Sequence, residues 1–137
     1  DNLFRHVLLE GKQLGNVRIH DGDARYLLAA LPASSLARVY LLYPDPWPKV
    51  RHHKRRFVNA DNLRQIHRVL APGGRFIFAS DIADYAAWTL EHVTADGGFS
   101  GPHGSTSMPP AEWMQTRYET KAKAAGRTTA YLEFRRR

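Results

Sequence analysis

Val39-Tyr40-Leu41-Leu42-Tyr43 runs directly into Pro44-Asp45-Pro46-Trp47-Pro48-Lys49. The first five residues are continuously apolar. That predicts a strand buried on both faces, the habit of parallel sheets flanked by helices. The next six cannot continue it, because three prolines fix φ and remove backbone donors. The chain therefore leaves the sheet stiffly and sets out an acid, an indole and an amine together.

Outward from this stretch, helix and strand patterns alternate. Leu3, Val7 and Leu14, with Phe4 and Leu8, predict an amphipathic helix stopped by Gly15. Val17 to His20 alternates as a short strand, and Asp21-Gly22-Asp23 is a turn. Ala24, Leu27, Leu28 and Leu31 share a helical face that Pro32 ends. Leu63, Ile66 and Leu70 give another helix, terminated by Pro72-Gly73-Gly74. Arg75 to Ala79 is a strand. Asp81 is placed to cap a helix with Ile82, Ala86, Leu90 and Val93 on one face. Gly97 to Pro110 is a loop, Ala111 to Ala125 a helix, and Thr128 to Phe134 a last strand. Such alternation predicts an α/β fold with a mostly parallel sheet and helices on both faces. Ligands of open α/β sheets sit beyond the carboxyl ends of the strands. The chemistry is therefore expected just after His20, Tyr43 and Ala79, where Asp23, Pro44 to Lys49 and Asp81 stand.

The chain has 137 residues, 43% of them hydrophobic, enough for one core and too many for a disordered segment. No apolar run approaches the ~20 residues of a membrane helix. The absence of cysteine excludes disulfides, iron–sulfur clusters, thiol catalysis and cysteine-built zinc sites, and fits a cytoplasmic protein. The chain opens on Asp1 rather than Met and lacks a signal-peptide pattern, so a longer parent chain is expected. A net charge of +7 speaks to partners, not to fold, and nucleic acid is the leading one.

That charge concentrates in Lys49-Val50-Arg51-His52-His53-Lys54-Arg55-Arg56. Arginine forks match phosphate oxygens, and neutralised phosphates are the usual source of nucleic-acid affinity. A solvated charged loop is the other reading. The run begins at the ligand-binding edge, which favours RNA or DNA. Adjacent His52 and His53 lack zinc-site spacing, so no metal is expected. Trp47 can stack a base or cover the core. Asp23 and Asp81 can each bind a ligand or cap a helix.

The stretch from Pro44 to Arg56 strongly resembles the bacterial tRNA (guanine-N7-)-methyltransferase family, TrmB. The resemblance extends to Asp23-Ala24, Ala71-Pro72-Gly73-Gly74, Ala79-Ser80-Asp81 and Thr116-Arg117-Tyr118-Glu119, and covers nearly the whole chain in the family's order. It implies a Rossmann-like class I S-adenosylmethionine-dependent methyltransferase fold, and methyl transfer to N7 of a guanosine in the tRNA variable loop. By that likeness Asp45 is catalytic, and Asp23, Ala24 and Asp45 bind S-adenosylmethionine. Lys49, Asp81, Thr116, Arg117, Tyr118 and Glu119 contact the substrate. Arg51, His52, His53, Lys54, Arg55 and Arg56 meet the RNA.

Two departures from the family stand out. Its glycine-rich cofactor loop is absent, so residues 1–137 read as one partial domain, the C-terminal two-thirds, with the N-terminal strands missing. Such a fragment is expected to bind cofactor poorly and to be inactive alone. His53 stands where the family often has Asn. The alternative to an enzyme is a non-catalytic RNA-binding module that keeps the basic loop without a cofactor site. A methyltransferase acting on another base or on a protein makes less use of the basic run. The sequence carries no signal of oligomeric state.

Overall fold

A computed structural model of the chain describes residues 15–137. The helix expected over Leu3 to Leu14 lies outside the described residues. The chain divides into two compact units, residues 1–30 and 31–137, and each is taken by itself.

In the first unit, helix α1 spans Ala24–Ala30 and buries Leu28. Leu27, expected on the same buried face, is 40% exposed. The expected strand over Val17 to His20 does not form, and Val17 and Ile19 are both exposed. Alternation makes a strand only where a neighbouring edge can pair with it.

The second unit is built on strands β1 (Leu36–Leu42), β2 (Leu70–Ser80), β3 (Phe99–Ser100) and β4 (Ala130–Arg136), in the order β1-β2-β4-β3. β1 pairs parallel to β2, while β4 runs antiparallel to both β2 and β3. The expectation of a mostly parallel sheet is therefore corrected: one described pairing is parallel and two are antiparallel. β2 and β3 run the same way, joined by helix α3 (Ala83–Asp96), and leave a gap one strand wide. β4 fills that gap from the opposite direction.

Helix α2 (Ala60–Val69) starts where the Asn59 side chain accepts from the Asn62 N–H at 2.9 Å. It buries Leu63, Ile66 and Val69. Each such side chain stabilises the fold by about 1.5–3 kcal/mol, and Leu63→Ala would cost about 2–5 kcal/mol. The helix gives way at Leu70, whose backbone is already extended, so β2 begins before Pro72 rather than at Arg75. Gly74 makes this passage possible, because a Cβ there would stand 2.7 Å from the Ala71 carbonyl oxygen and 3.2 Å from that of Ala37.

α3 presents Tyr85, Thr89 and Val93 to the core at spacing four. Leu90, expected on that face, is 38% exposed. The helix begins at Ala83, and the Ser80 hydroxyl accepts the Ile82 N–H at 3.1 Å. It ends on Gly97 in the left-handed conformation, φ 74°. α2 and α3 touch each other and both reach β2. Between them and the sheet lie Phe76, Phe78, Phe99 and Phe134, with Phe76 directly opposite Phe134 and their rings 6.0 Å apart. The other face of β2 and β4 carries the Arg75–Glu133 ion pair and Tyr131, which meets helix α4 (Arg117–Ala124) through Glu119. The helix expected from Ala111 thus starts six residues later.

β1 departs from its expected burial. Val39 and Leu41 lie opposite Phe76 and Phe78, but Tyr40 on the other face is 46% exposed. β1 is the marginal strand of the described sheet, paired on one edge alone, so an apolar run here is half covered.

Candidate active site

Asp45 follows β1 at its carboxyl end, inside a loop whose backbone is strained on both sides of it. Tyr43 has φ 50° and Trp47 φ 42°. Aromatic residues rarely adopt positive φ, and each such position costs about 1–3 kcal/mol, held in place by its surroundings. The holding groups are visible. The Tyr43 N–H donates to Ala79 O at 2.8 Å, extending the β1–β2 ladder by one step. The Tyr43 hydroxyl meets Thr129 Oγ1 at 3.0 Å, and its ring stacks on Tyr118 with centroids 5.6 Å apart. Arg55 lies over the Trp47 ring at 5.0 Å, and His52 approaches the same ring edge-on. Asp45 itself is exposed, and no hydrogen bond or ion pair ties it to another described residue. Its charge is nonetheless felt inside. Burial raises the Tyr85 phenol above its ordinary value and Asp45 adds to that rise, against backbone donors and Arg56.

At the end of β2, Asp81 does not cap α3. Its carboxylate accepts from Arg127 Nε at 2.5 Å. The segment Thr116 to Glu119 opens α4: Thr116 is the cap, its hydroxyl accepting the Glu119 N–H at 3.1 Å. Tyr118 points outward, 63% exposed, and Arg117 is exposed beside it. Glu119 points inward and is only 2% exposed. Its carboxylate accepts from Tyr131 Oη at 2.5 Å and from Trp113 Nε1 at 2.9 Å, with Lys123 Nζ at 3.4 Å. Burial alone would raise its carboxyl, but these donors hold it below its ordinary value. Burial and the neighbouring Glu119 push the Tyr131 phenol upward. Glu119 thus braces the loop before α4 against β4. Only Lys123, one helical turn on, is a local partner of the carboxylate; Trp113 and Tyr131, which draw Glu119 inward, stand six residues before it and twelve after, so the sequence nearby does not announce this.

The basic run forms a 3-10 helix, Val50–Arg55, after Lys49. Lys49, Arg51, Lys54 and Arg55 are exposed, and His52 is half-buried. His53 is largely covered, packed edge-on to Trp88 with Asp84 3.8 Å away. Arg56 is the correction: it does not join the outward cations, and its side chain is 0% exposed. The reason is its partners: Pro46 O and the Asp84 carboxylate accept from the guanidinium, and the Tyr85 and Trp88 rings cover it. Among the described residues no group of three or more histidine, aspartate or glutamate side chains is placed to hold a metal.

In the first unit, Asp23 accepts the Arg25 N–H at 2.9 Å and grips the Arg25 guanidinium, its Oδ2 lying 2.6 Å from Nη2. These bonds hold its carboxyl below the usual range. The capping reading of Asp23 is the one realised among described residues, and Ala24 is the first residue of α1. Among the described residues, cavities of about 660 and 350 Å³ are lined by His67, His92 and Arg64 in one case and by His103, Met108 and Arg75 in the other.

A parallel strand pair, an antiparallel strand inserted beside it, and an acidic, aromatic loop at the carboxyl edge define the Rossmann-like methyltransferase class. The fold matches a "Putative DNA Modification Methylase" of Thermus thermophilus, solved in complex with S-adenosyl-L-methionine, at a TM-score of 0.54 and 20% identity over 88% of this chain and 53% of that one. Residues 3–132 match the family described as "Putative methyltransferase", and the chain belongs to that family. The tRNA (guanine-N(7)-)-methyltransferase of Agrobacterium fabrum is 53% identical over 129 residues, which cover 92% of this chain and 56% of the relative. Those of Nitrobacter hamburgensis and Rhizobium etli are 50% and 47% identical, over 93% and 98% of this chain and 51% and 61% of the relatives. The chain thus spans about half to three-fifths of the length of the curated relatives it matches. The family resemblance read from Pro44 to Arg56 is borne out.

Proposed function

We propose that this chain carries the reacting edge and RNA-facing loop of an enzyme that methylates N7 of a guanosine in the tRNA variable loop. Residues 1–137 are taken as part of one methyltransferase domain, a reading supported by the family match from residue 3 to residue 132. The reading rests on one observation. Asp45, an exposed carboxylate without an ion pair among described residues, is set between two left-handed aromatic residues and followed at once by outward cations.

The chemistry suits such a carboxylate. Guanine N7 already bears a lone pair, so no base is needed to remove a proton. S-adenosylmethionine, when bound, supplies a methyl group from a sulfonium, and the positive charge passes to the purine as the new N–C bond forms. Asp45 stabilises that charge or accepts hydrogen bonds from the guanine Watson–Crick edge. An unpaired carboxylate at the carboxyl edge fits a cationic cofactor, and Asp45 is the residue proposed to hold it; Asp23 and Ala24 are assigned to the cofactor by the family likeness alone. We assign Lys49, Asp81, Thr116, Arg117 and Tyr118 to contact with the substrate, with Glu119 bracing their segment. Arg51, His52, His53, Lys54 and Arg55 meet the RNA. Alignment of nitrogen, methyl carbon and sulfur does the rest. No described helix is long and apolar enough to cross a membrane. We propose the cytoplasm as the site of activity, on the strength of the proposed tRNA substrate.

The test is the full-length protein with unmodified tRNA and methyl-labelled S-adenosylmethionine. The label is expected at one variable-loop guanosine, where N7 methylation makes the strand cleavable by aniline after reduction. Tight tRNA binding without methyl transfer would overturn the enzyme in favour of an RNA-binding module.

A further inference from the structure

We propose that Arg56 is a positioning residue for methyl transfer: from inside the fold it holds the Pro46 carbonyl and thereby fixes where the Asp45 carboxylate stands. The inference rests on the proposed function, and it takes Arg56 out of the set of phosphate ligands.

A buried charge is costly unless it is paired and hydrogen-bonded. Arg56 has the compensation. Its Nε donates to Pro46 O at 2.8 Å, and Nη2 donates to Asp84 Oδ2 at 2.6 Å. The guanidinium carbon lies 4.8 Å from the Tyr85 ring centroid and 5.0 Å from that of Trp88. Nη1 is buried without a hydrogen-bond partner, so the aromatic faces are what stabilises that end of the fork. Those rings are anchored in turn. Trp88 Nε1 donates to Val58 O at 2.8 Å, and the Tyr85 hydroxyl accepts the Val58 N–H at 3.3 Å. The clamp is therefore fixed to α3, through Tyr85, Trp88 and the exposed Asp84, and to the backbone just after Arg56.

The carbonyl it holds lies between Asp45 and the strained Trp47. Arg55, the preceding residue, covers the Trp47 ring from the exposed side at 5.0 Å. Two consecutive arginines thus grip the same loop, one within reach of RNA and one out of reach. A lysine at position 56 would keep the charge but lose the planar fork that bonds Pro46 and Asp84 while lying between two rings.

The experiment uses the full-length protein carrying Arg56→Lys, Arg56→Met, Asp84→Asn or Arg55→Ala. Three quantities are read: the single-turnover methylation rate at saturating tRNA and cofactor, the salt dependence of tRNA binding, and amide exchange over residues 43–49. Arg56→Lys is expected to slow the rate by on the order of 100-fold, the usual cost of a misplacement near 1 Å. It should hasten exchange in the loop and leave the salt slope as in the natural protein. Arg55→Ala should flatten that slope by about 1. Asp84→Asn, which alters a carboxylate 67% exposed, should fold normally and lower the rate in the same direction by less. It supplies the answer if Arg56→Met fails to fold. A near-normal rate in Arg56→Lys, or a slope flattened by about 1 with an unchanged saturated rate, would overturn the proposal. If the natural protein itself leaves guanosine N7 unmethylated, the function is wrong. Loop exchange in Arg56→Lys then decides the positioning role alone: faster exchange sustains it, and unchanged exchange refutes it.

Discussion

The loop after β1 and the segment opening α4 meet where Tyr43 stacks on Tyr118, and each carries a carboxylate. Asp45, in the first, is exposed and bound to no described residue. Glu119, in the second, is covered and accepts from a phenol, an indole and an ammonium group. The same side-chain chemistry is left available in one place and consumed in the other. A group whose work is to meet a charge that appears during reaction has to be kept unpaired. Its loop is then held by other means: the bonds and stacking of Tyr43, prolines, and an arginine from below. A group whose work is to hold a loop has its lone pairs filled.

The largest effect should come from removing the available charge. Asp45→Asn in the full-length protein preserves shape, and should lower single-turnover methylation about 100- to 1000-fold, about 3–4 kcal/mol. tRNA affinity should change little, because the interaction grows only as charge moves onto the purine. A near-normal rate would make Asp45 structural and erase the contrast with Glu119.

Glu119→Ala should act on stability instead. It leaves the Trp113 and Tyr131 donors unmet, at about 1–3 kcal/mol, read as a lower denaturation midpoint. Asp45→Asn should leave that midpoint in place. The acid behaviour of Glu119 sharpens the point. Its folded carboxyl lies below the ordinary value of 4.5, so the stability it gives is fully present above that value. It is lost as pH falls from there through the lowered folded value. Trp113 fluorescence should follow that loss in the natural protein, and Glu119→Gln should abolish this component.

Neutralising Lys54 and Arg55 should flatten the log–log salt slope of tRNA binding by about 1 to 2. An unchanged slope would return the run to a solvated loop. Arg127→Ala should be the smallest perturbation. It breaks an ion pair whose arginine is half exposed, and its effect on the denaturation midpoint should correspond to no more than about 1 kcal/mol. A large loss would mean that the Asp81–Arg127 pair belongs with Glu119 rather than with the open edge.

The sequence makes some of this arrangement legible and hides the rest for physical reasons. Apolar spacing located α2 and β2, since Leu63, Ile66 and the run Phe76 to Ala79 are read directly as buried. The carboxyl-edge rule placed Asp45 and Asp81 near one end of the sheet. The phase of α3 was misread because Tyr85 and Thr89, which carry polar atoms, take the core positions that Leu90 was suited to. Strand direction was misread because β4 pairs with β2 across some fifty residues, and pairing partners leave no local mark. Arg56 is indistinguishable from Arg55 in the chain. What separates them is Tyr85 and Trp88, three residues apart on α3, which offer a slot for one guanidinium. The positive φ values at Tyr43 and Trp47 are also invisible locally, although the surrounding prolines signal a rigid path.

The insertion of β4 between β2 and β3 has a consequence for the order in which the protein is made. β2 and β3 leave the ribosome first, separated by the width of a strand that does not yet exist. Until residues 130–136 emerge, one edge of β2 has unpaired donors and acceptors, a template for pairing with another chain. A nascent chain paused before Ala130 is thus committed to waiting, and it is in that interval that a chaperone or a protease would find it.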